Sequence, residues 1–277
     1  MTNIDPKTVK SFGSEWNFYS HSESDLPLAD RTALFNNYFH IFPWSSLPPK
    51  AVGADVGCGS GRWAAMVAPR VGHLYAIDPA TQAVEIARRN LSDHANVTVI
   101  EAECNDMPIE NRSLDFAFCL GVLHHIPNTG AALAAIVEKL KLGAPILLYL
   151  YYAFDTRPFW YRAIWRVSEL GRDVICTMPR RAQQLITNII AATVYWPLAR
   201  AAYVLSLVGV PVNSLPLSYY ADKPFYILRT DAYDRFCTPL EKRFRRSEVE
   251  HMMASAGLSE ISFSDTAPYW VAVGRRK

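Results

Sequence analysis

Between residues 51 and 150, short apolar runs alternate with segments in which apolar residues recur every three or four positions. The short runs predict β-strands and the periodic segments predict helices, which together give the βα rhythm of a parallel sheet. The predicted strands cover 51–56, 73–78, 97–102, 114–120 and 145–152, and the predicted helices cover 61–71, 81–94 and 130–143.

The C-terminal stretch changes this rhythm. A helix is predicted over 246–258, with Ser247 as its N-cap, Glu250 three residues later and Gly257 as its stop. The runs EISFSD and YWVAVG follow, separated by a short turn. We expect them to form two closing strands that run antiparallel to each other.

Residues 151–245 do not continue the repeat and predict an insert after the fifth strand. Their most apolar part, 185–212, is broken by Pro197 and Arg200, and neither half reaches the roughly 20 apolar residues of a membrane span. A helical lid is the favoured interpretation, and a surface that dips into a lipid interface is the alternative. Residues 151–230 carry nine basic and four acidic side chains. Four of the arginines suggest an acidic feature on the substrate or a solvated helix face: Arg162, Arg166, Arg180 and Arg181.

Composition narrows the class of protein. The 277 residues are 50% hydrophobic and 19% charged, as in ordinary globular domains, and a net charge of +2 gives no reason to expect a nucleic-acid partner. The five cysteines include no CxxC pair, which favours a reducing compartment over a disulfide framework or a zinc site. The N-terminus lacks the basic start and apolar centre of a signal peptide. We therefore expect a cytoplasmic protein.

The segment DVGCGSG, residues 55–61, places three glycines at alternate positions where a strand meets a helix. Such glycines permit positive φ and close approach of a ligand to the backbone. A dinucleotide fingerprint would need glycine at position 62, where Arg62 stands, so an NAD enzyme is disfavoured. Asp78 could bind both hydroxyls of a ribose, or simply form a strand-end turn before Pro79. Asp55 could hold a cationic group, or serve as a solvated or capping residue.

Three motifs carry a resemblance. DVGCGSG, YAIDPA and AECNDMPIENRSLDFAFCLGVLHHIP follow one another as they do in class I S-adenosylmethionine-dependent methyltransferases, particularly the type-11 group. The resemblance implies S-adenosylmethionine as cofactor, with Glu103 near the adenine amino group, Cys104 offering its backbone amide and Leu120 beside the methionine end. KLKLGAP departs from the usual LKPGG, in a turn that touches no cofactor contact. The implied cofactor-binding residues are Asp55, Gly57, Cys58, Gly59, Gly61, Asp78, Pro79, Glu103, Cys104 and Leu120.

The residues expected near the transferred methyl group are two histidines and a tyrosine. His124 and His125 follow the fourth strand, where a histidine could deprotonate the acceptor, although one of the two could instead pack structurally. No metal site is expected from adjacent histidines. SFGSEWNFY, residues 11–19, is similar to an FGxEW opening in a subset of these enzymes. It implies a cap over the cofactor pocket, in which Tyr19 orients the acceptor or merely packs.

These observations predict one α/β domain built on a doubly wound, seven-stranded, mostly parallel sheet of the Rossmann-like methyltransferase type. The expected division is an N-terminal cap over 1–44, a core over 45–150 and 246–277, and a helical insert over 151–245. The expected function is methyl transfer to an O or N atom of a small or mid-sized metabolite, as in natural-product or glycan pathways. The alternatives are a lipid or quinone acceptor, an RNA or protein acceptor, and a protein that binds the cofactor without transferring its methyl group. The oligomeric state is left open.

Overall fold

The computed structural model describes residues 2–13, 28–155, 157–212, 215–266 and 270–277. The chain divides into two compact units. The first unit comprises Met1–Ala153 together with Leu240–Lys277, and the second is Phe154–Pro239. The predicted boundaries of the cap, the core and the insert are not tested by this division and stay predictions.

The first unit is built on a seven-stranded sheet of order β3-β2-β1-β4-β5-β7-β6. Strands β1 to β5 pair in parallel, whereas β7 runs antiparallel to both β5 and β6. The prediction of a mostly parallel, seven-stranded α/β sheet is confirmed, including the antiparallel closing pair. The strands are β1 (Val52–Val56), β2 (His73–Asp78), β3 (Val97–Glu101), β4 (Phe116–Leu120), β5 (Pro145–Tyr149), β6 (Leu258–Phe263) and β7 (Val271–Arg276).

Two of the first five predicted strands extend two or more residues beyond the observed ones. The fourth was expected to begin at Leu114, but that residue forms only an isolated bridge with Leu140 before β4 begins. The fifth was expected to reach Tyr152, which instead bridges to Phe244 beyond the end of β5. In both cases the apolar run continues past the pairing that defines the strand.

The helices of this unit follow the predicted repeat with two corrections. The α-helices end at Val67, Asn90 and Lys139, whereas the predicted helices ran on to 71, 94 and 143, and the N-cap of the last helix was misassigned. The last helix begins at Arg246, and the carboxylate of Glu248 accepts a 2.7 Å hydrogen bond from the backbone N–H of Arg245. The expected N-cap at Ser247 is therefore wrong, because Ser247 already lies in the first helical turn. The helices are α1 (residues 6–13), α2 (Leu28–Phe39), α3 (Arg62–Val67), α4 (Thr81–Asn90), α5 (Thr129–Lys139) and, after the second unit, α10 (Arg246–Ser255).

The strand order reverses between β1 and β4. From β1 the chain moves outward to β2 and β3, then returns to place β4 on the other side of β1. In such sheets the loops after these two strands separate and leave a crevice at the carboxyl edge, where ligands bind. The glycine loop follows β1, and the two histidines follow β4.

An aromatic cluster packs against strands β1 and β4, which flank this crevice. Phe35 and Phe39 of α2 stack at 4.2 Å between ring centroids, and Phe39 meets Phe118 of β4 edge-on at 5.3 Å. A Cβ at Gly53 would lie 2.1 Å from the Phe116 ring, so only glycine lets that ring lie against β1.

The second unit is helical. It contains α6 (Phe159–Ile175), α7 (Arg180–Ile190), α8 (Trp196–Leu207) and α9 (Phe225–Cys237). A π-helical turn, Ala191–Tyr195, joins α7 to α8. The resulting helix, Arg180–Leu207, is the one helix of the described residues that is long and apolar enough to cross a membrane.

Candidate active site

The glycine loop after β1 has an unusual backbone. The φ angles of Gly57, Gly59 and Gly61 are +81°, +54° and +81°. A Cβ at Gly57 would lie 2.2 Å from Val122, and one at Gly61 would lie 2.8 Å from Leu91. The protein's own packing and the positive φ angles therefore both require glycine at 57 and 61.

The Asp78 carboxylate joins this loop to the end of β2. Its Oδ2 accepts a 3.0 Å hydrogen bond from the Gly59 N–H, and its Oδ1 accepts one of 2.9 Å from the Ala80 N–H. Burial nevertheless raises the Asp78 pKa to about 6. Each carboxylate oxygen retains a lone pair, so Asp78 can still accept hydrogen bonds from ligand hydroxyls.

Three acidic residues lie near the carboxyl ends of neighbouring strands: Asp55 on β1, Asp78 on β2 and Glu101 on β3. Asp55 is 1% exposed, and its Oδ2 has no hydrogen-bond partner among the described residues. Burial, followed by repulsion from Asp78, raises the Asp55 pKa well above its usual value. A cationic ligand would relieve this repulsion. The buried carboxylate, whose Oδ2 has no hydrogen-bond partner among the described residues, therefore fits the positively charged S-adenosylmethionine.

A cavity of about 120 Å³ opens above the glycine loop. Glu103 lines an adjacent depression with Pro79 and Asp106. Four of the predicted cofactor-binding residues, Asp55, Cys58, Gly61 and Glu103, are not among the residues that line the cavity. Tyr19 lies outside the described residues. The predicted site residues that the structure brings together around the cavity are Gly57, Gly59, Asp78, Pro79, Cys104, Leu120 and His125.

The first described residues form a wall of the cavity, and the sequence analysis did not name Asn3, Thr8 or Phe12 among the site residues. The Asn3 side chain donates to the Asn128 carbonyl at 2.9 Å, and its backbone N–H donates to Glu103 at 3.2 Å. In α1, Thr8 and Phe12 line the cavity. An available signal was Asp5 before Pro6, the usual start of a helix: the Asp5 carboxylate accepts from the Thr8 N–H at 3.2 Å.

The thiols around the glycine loop are neutral. Burial raises the pKa of Cys104, which lines the cavity, to about 12. Burial also raises the pKa values of Cys58 and Cys119 well above their usual range, and nearby carboxylates add to the effect. Because the thiolate is the nucleophilic form of cysteine, these side chains do not compete with an acceptor for a methyl group.

His125 is held in one tautomer at the wall of the cavity. Its Nδ1 lies 2.7 Å from the backbone carbonyl oxygen of Leu240. A carbonyl only accepts hydrogen bonds, so Nδ1 carries the proton and Nε2 of the neutral ring carries a lone pair. Phe12 packs against the ring at 4.8 Å between centroids. This arrangement orients a group that can accept a proton.

His124 has a different environment. It is fully buried, stacks on Tyr151 at 3.7 Å between ring centroids, and neither ring nitrogen has a hydrogen-bond partner among the described residues. Burial is the main cause of a pKa well below the usual histidine value, so the ring is neutral. His124 is not among the residues that line the cavity, and its catalytic assignment stays a prediction from sequence. The described residues contain no group of histidine, cysteine, aspartate and glutamate side chains that could hold a metal ion.

Replacing Asp55 with asparagine should stabilise the ligand-free protein. The raised pKa means that the folded state binds a proton at Asp55 more tightly than the unfolded state does, so ionisation of Asp55 opposes folding as pH rises. Asparagine cannot ionise. We expect the Tm of Asp55→Asn to exceed that of the wild type by a margin that widens as the pH rises above about 4, the usual pKa of an aspartate in an unfolded chain.

The same substitution should weaken binding of a cation, since the negative charge under the glycine loop is lost. Thermal unfolding with and without S-adenosylmethionine measures both effects. A smaller ligand-induced rise in Tm for Asp55→Asn is expected. A lower Tm for the ligand-free variant at every pH would show that the Asp55 carboxylate stabilises the fold.

Comparison with known proteins agrees with this geometry. Residues 54–143 match the family described as a methyltransferase domain. The chain is 29% identical over 149 residues to the ubiquinone biosynthesis O-methyltransferase of Hahella chejuensis, covering 53% of this chain and 61% of that protein. It is 27% identical over 143 residues to sterol 4-C-methyltransferase strm-1 of Caenorhabditis elegans, covering 50% and 42% respectively. The chain thus spans less than two thirds of the length of either relative.

A solved structure from Methanococcus maripaludis, provisionally described as an S-adenosylmethionine-dependent methyltransferase, superposes with a TM-score of 0.54 at 12% identity. The superposition covers 100% of this chain and 97% of that one, and it shows the shared fold. The matched segment, residues 54–143, contains the glycine loop and Asp78 at the end of β2. It also contains strands β2, β3 and β4. The matched segment is therefore a methyltransferase domain, and the glycine loop and the Asp78 carboxylate within it fit S-adenosylmethionine as its cofactor.

Proposed function

We propose that this protein transfers a methyl group from S-adenosylmethionine to an O or N atom of a small or mid-sized metabolite. The observation that carries the proposal is one cavity with Asp78 and His125 on its wall. The Asp78 carboxylate can bind the cofactor, and His125 can take a proton from the molecule that receives the methyl group. The cysteines of the described residues form no disulfide, which fits a reducing compartment, and we propose a cytoplasmic location.

The cofactor supplies an electrophilic methyl group on a sulfonium. The protein's own task is to align an acceptor atom with it and exclude water. Asp78 would hold ribose hydroxyls, while the buried charge of Asp55 would attract the cation. His125 Nε2 would take the proton of a hydroxyl or ammonium acceptor. The Leu240 carbonyl keeps that nitrogen unprotonated in the neutral ring.

A lipid-soluble acceptor is the second candidate. The unit Phe154–Pro239 exposes many large apolar side chains. Two relatives are named for methyl transfer in ubiquinone biosynthesis and to a sterol, which are apolar molecules. These facts favour a quinone or other lipid over RNA or protein as the alternative acceptor.

The test is transfer of a labelled methyl group from S-adenosylmethionine into an extract of the source cells, followed by separation into small-molecule, lipid, RNA and protein fractions. The variant Asp78→Asn serves as the inactive control. Label in the small-molecule fraction, absent with the control, supports the proposal. Label in lipid favours the second candidate. Label in RNA or protein, or no transfer despite cofactor binding, overturns both.

A further inference from the structure

The surface of the unit Phe154–Pro239 is unusually apolar. Of the large apolar side chains that the described residues expose, all but Leu142 lie between Phe159 and Phe225. Exposed apolar groups on this scale mark an interaction site rather than ordinary surface. The members on α6, α7 and α8, here called the apolar face, are Phe159, Trp160, Ile164, Val167, Leu170, Val174, Leu185, Ile189, Trp196, Leu198, Tyr203, Val204, Leu205 and Leu207.

Helix α6 exposes large apolar side chains and buries a charged one. Val167 and Leu170 are each 69% exposed, whereas Arg172 is 8% exposed. The Arg172 Nη1 donates to the backbone carbonyls of Thr238 and Pro239, both at 3.1 Å, and Glu169 pairs with Arg172 on the same inner side. In a helix that packs its apolar stripe into a core, these positions would be reversed.

The helix Arg180–Leu207 repeats this arrangement. Its inner side carries Gln183 and Thr187, followed by small residues at Ala191, Ala199 and Ala202. Gln183 donates to the carbonyls of Ile175 and Cys176 at 3.3 and 3.0 Å. Its outer side carries members of the apolar face such as Leu185, which is 62% exposed, and Leu207, which is 68% exposed. Two helices thus present large apolar side chains outward, while polar or small residues predominate among their buried positions.

Basic residues accompany the apolar face. Arg162 and Arg166 are exposed one turn apart on α6, and Arg180 and Arg181 are exposed at the start of α7. Together with the apolar face, which includes Trp160 and Trp196, they give the composition of helices that lie in the headgroup region of a membrane. A second copy of the chain fits less well, because a symmetric contact would bring the same arginines together.

We propose that the apolar face docks on the surface of an anionic phospholipid bilayer. The apolar side chains enter the boundary between headgroups and acyl chains, and the arginines pair with lipid phosphates. The helix Arg180–Leu207 is about 42 Å long, enough to span the bilayer. Spanning would expose the inner Gln183 and Thr187 to hydrocarbon and break the bonds to the Ile175 and Cys176 carbonyls. Docking on the bilayer surface leaves these hydrogen bonds intact and keeps Gln183 and Thr187 away from hydrocarbon.

The experiment is flotation of the full chain with phosphatidylcholine vesicles, with and without about 30 mol% phosphatidylglycerol. One double variant is Val167→Asp with Leu170→Asp, and another is Val204→Asp with Leu207→Asp. Leu142→Asp is the matched control, because Leu142 is 68% exposed but lies in the first unit. We expect the wild type and the control to float with the anionic vesicles. Each double variant should lose at least roughly tenfold in bound fraction.

High salt should reduce binding of the wild type, since salt screens the arginines. The S-adenosylmethionine-induced rise in Tm should be the same in all four proteins, so that a failure of docking is distinguishable from a failure of the proposed function. Absence of flotation, or an equal loss in Leu142→Asp, overturns the proposal. It is also overturned by a dimer in light scattering that the double variants dissociate, or by wild-type protein that alkaline carbonate does not extract from vesicles.

Discussion

Substitution of Asp78 by asparagine should lower the affinity for S-adenosylmethionine by at least about 100-fold, because the ligand hydroxyls lose one of the two acceptor oxygens and the remaining one is no longer charged. The change also replaces one oxygen with an amide donor, which cannot accept from the Gly59 or Ala80 N–H. Both effects act on the same side of the cavity. Isothermal titration of the purified chain with S-adenosylmethionine measures the loss.

The matched control is Asp93→Asn, which removes an exposed carboxylate from the loop after α4. Its affinity should equal that of the wild type. Asp78→Glu keeps the charge on a longer side chain, and we expect it to recover part of the affinity. If Asp78→Asn folds with a Tm near that of the wild type and binds S-adenosylmethionine within a few-fold, the assignment of Asp78 to the ribose is wrong.

The sheet could be predicted because each strand is a short apolar run between turn signals. The predicted ends of the first three strands match β1, β2 and β3 to within one residue. Pairing beyond the local run could not be predicted: Leu114 and Tyr152 continue apolar runs but form isolated bridges. The N-cap of α10 was misassigned because Ser247 and Glu250 imitate a capping box two residues past the real one, in which the Arg245 N–H donates to Glu248.

The candidate site was predictable only where a motif fixes the backbone. Gly57, Gly59 and Asp78 line one cavity because the loop and the end of β2 are hydrogen-bonded to each other. A cap over the pocket was expected, but its contact residues in Asn3 and α1 could not be named, because they depend on contacts across more than a hundred residues, such as the bond from Asn3 to the Asn128 carbonyl.

Helical periodicity could not predict that the second unit exposes its large apolar side chains, and the reason differs from that for the cavity wall. A stripe of large apolar residues on a helix predicts which side is apolar, but it does not say whether that side meets a core or the solvent. In α6 the buried Arg172 decides the question, since its bonds to the Thr238 and Pro239 carbonyls fix the polar side inward. Thr238 and Pro239 lie more than sixty residues away from Arg172 in the sequence. The predicted lid role of these helices stays a prediction.

Replacing His125 with asparagine should slow methyl transfer by about 100-fold or more, the usual contribution of a positioned general base. Asparagine was chosen because its Nδ2 can still donate to the Leu240 carbonyl, as Nδ1 of His125 does at 2.7 Å. It lacks the lone pair at the position of Nε2. The variant therefore separates the structural bond from the proton-accepting nitrogen. Transfer of label from S-adenosylmethionine into source-cell extract measures the rate.

The matched control is His124→Phe, which keeps a ring stacked on Tyr151 and removes two buried nitrogens that have no hydrogen-bond partner among the described residues. We expect it to fold at least as stably as the wild type, because an unsatisfied buried polar group costs about 1–3 kcal/mol. Its transfer rate should be unchanged. His125→Asn should retain the affinity for S-adenosylmethionine while its rate falls. If instead His125→Asn transfers at the wild-type rate, the base is another group; and if only His124→Phe is slow, the buried histidine acts on the acceptor and the roles of the two residues must be exchanged.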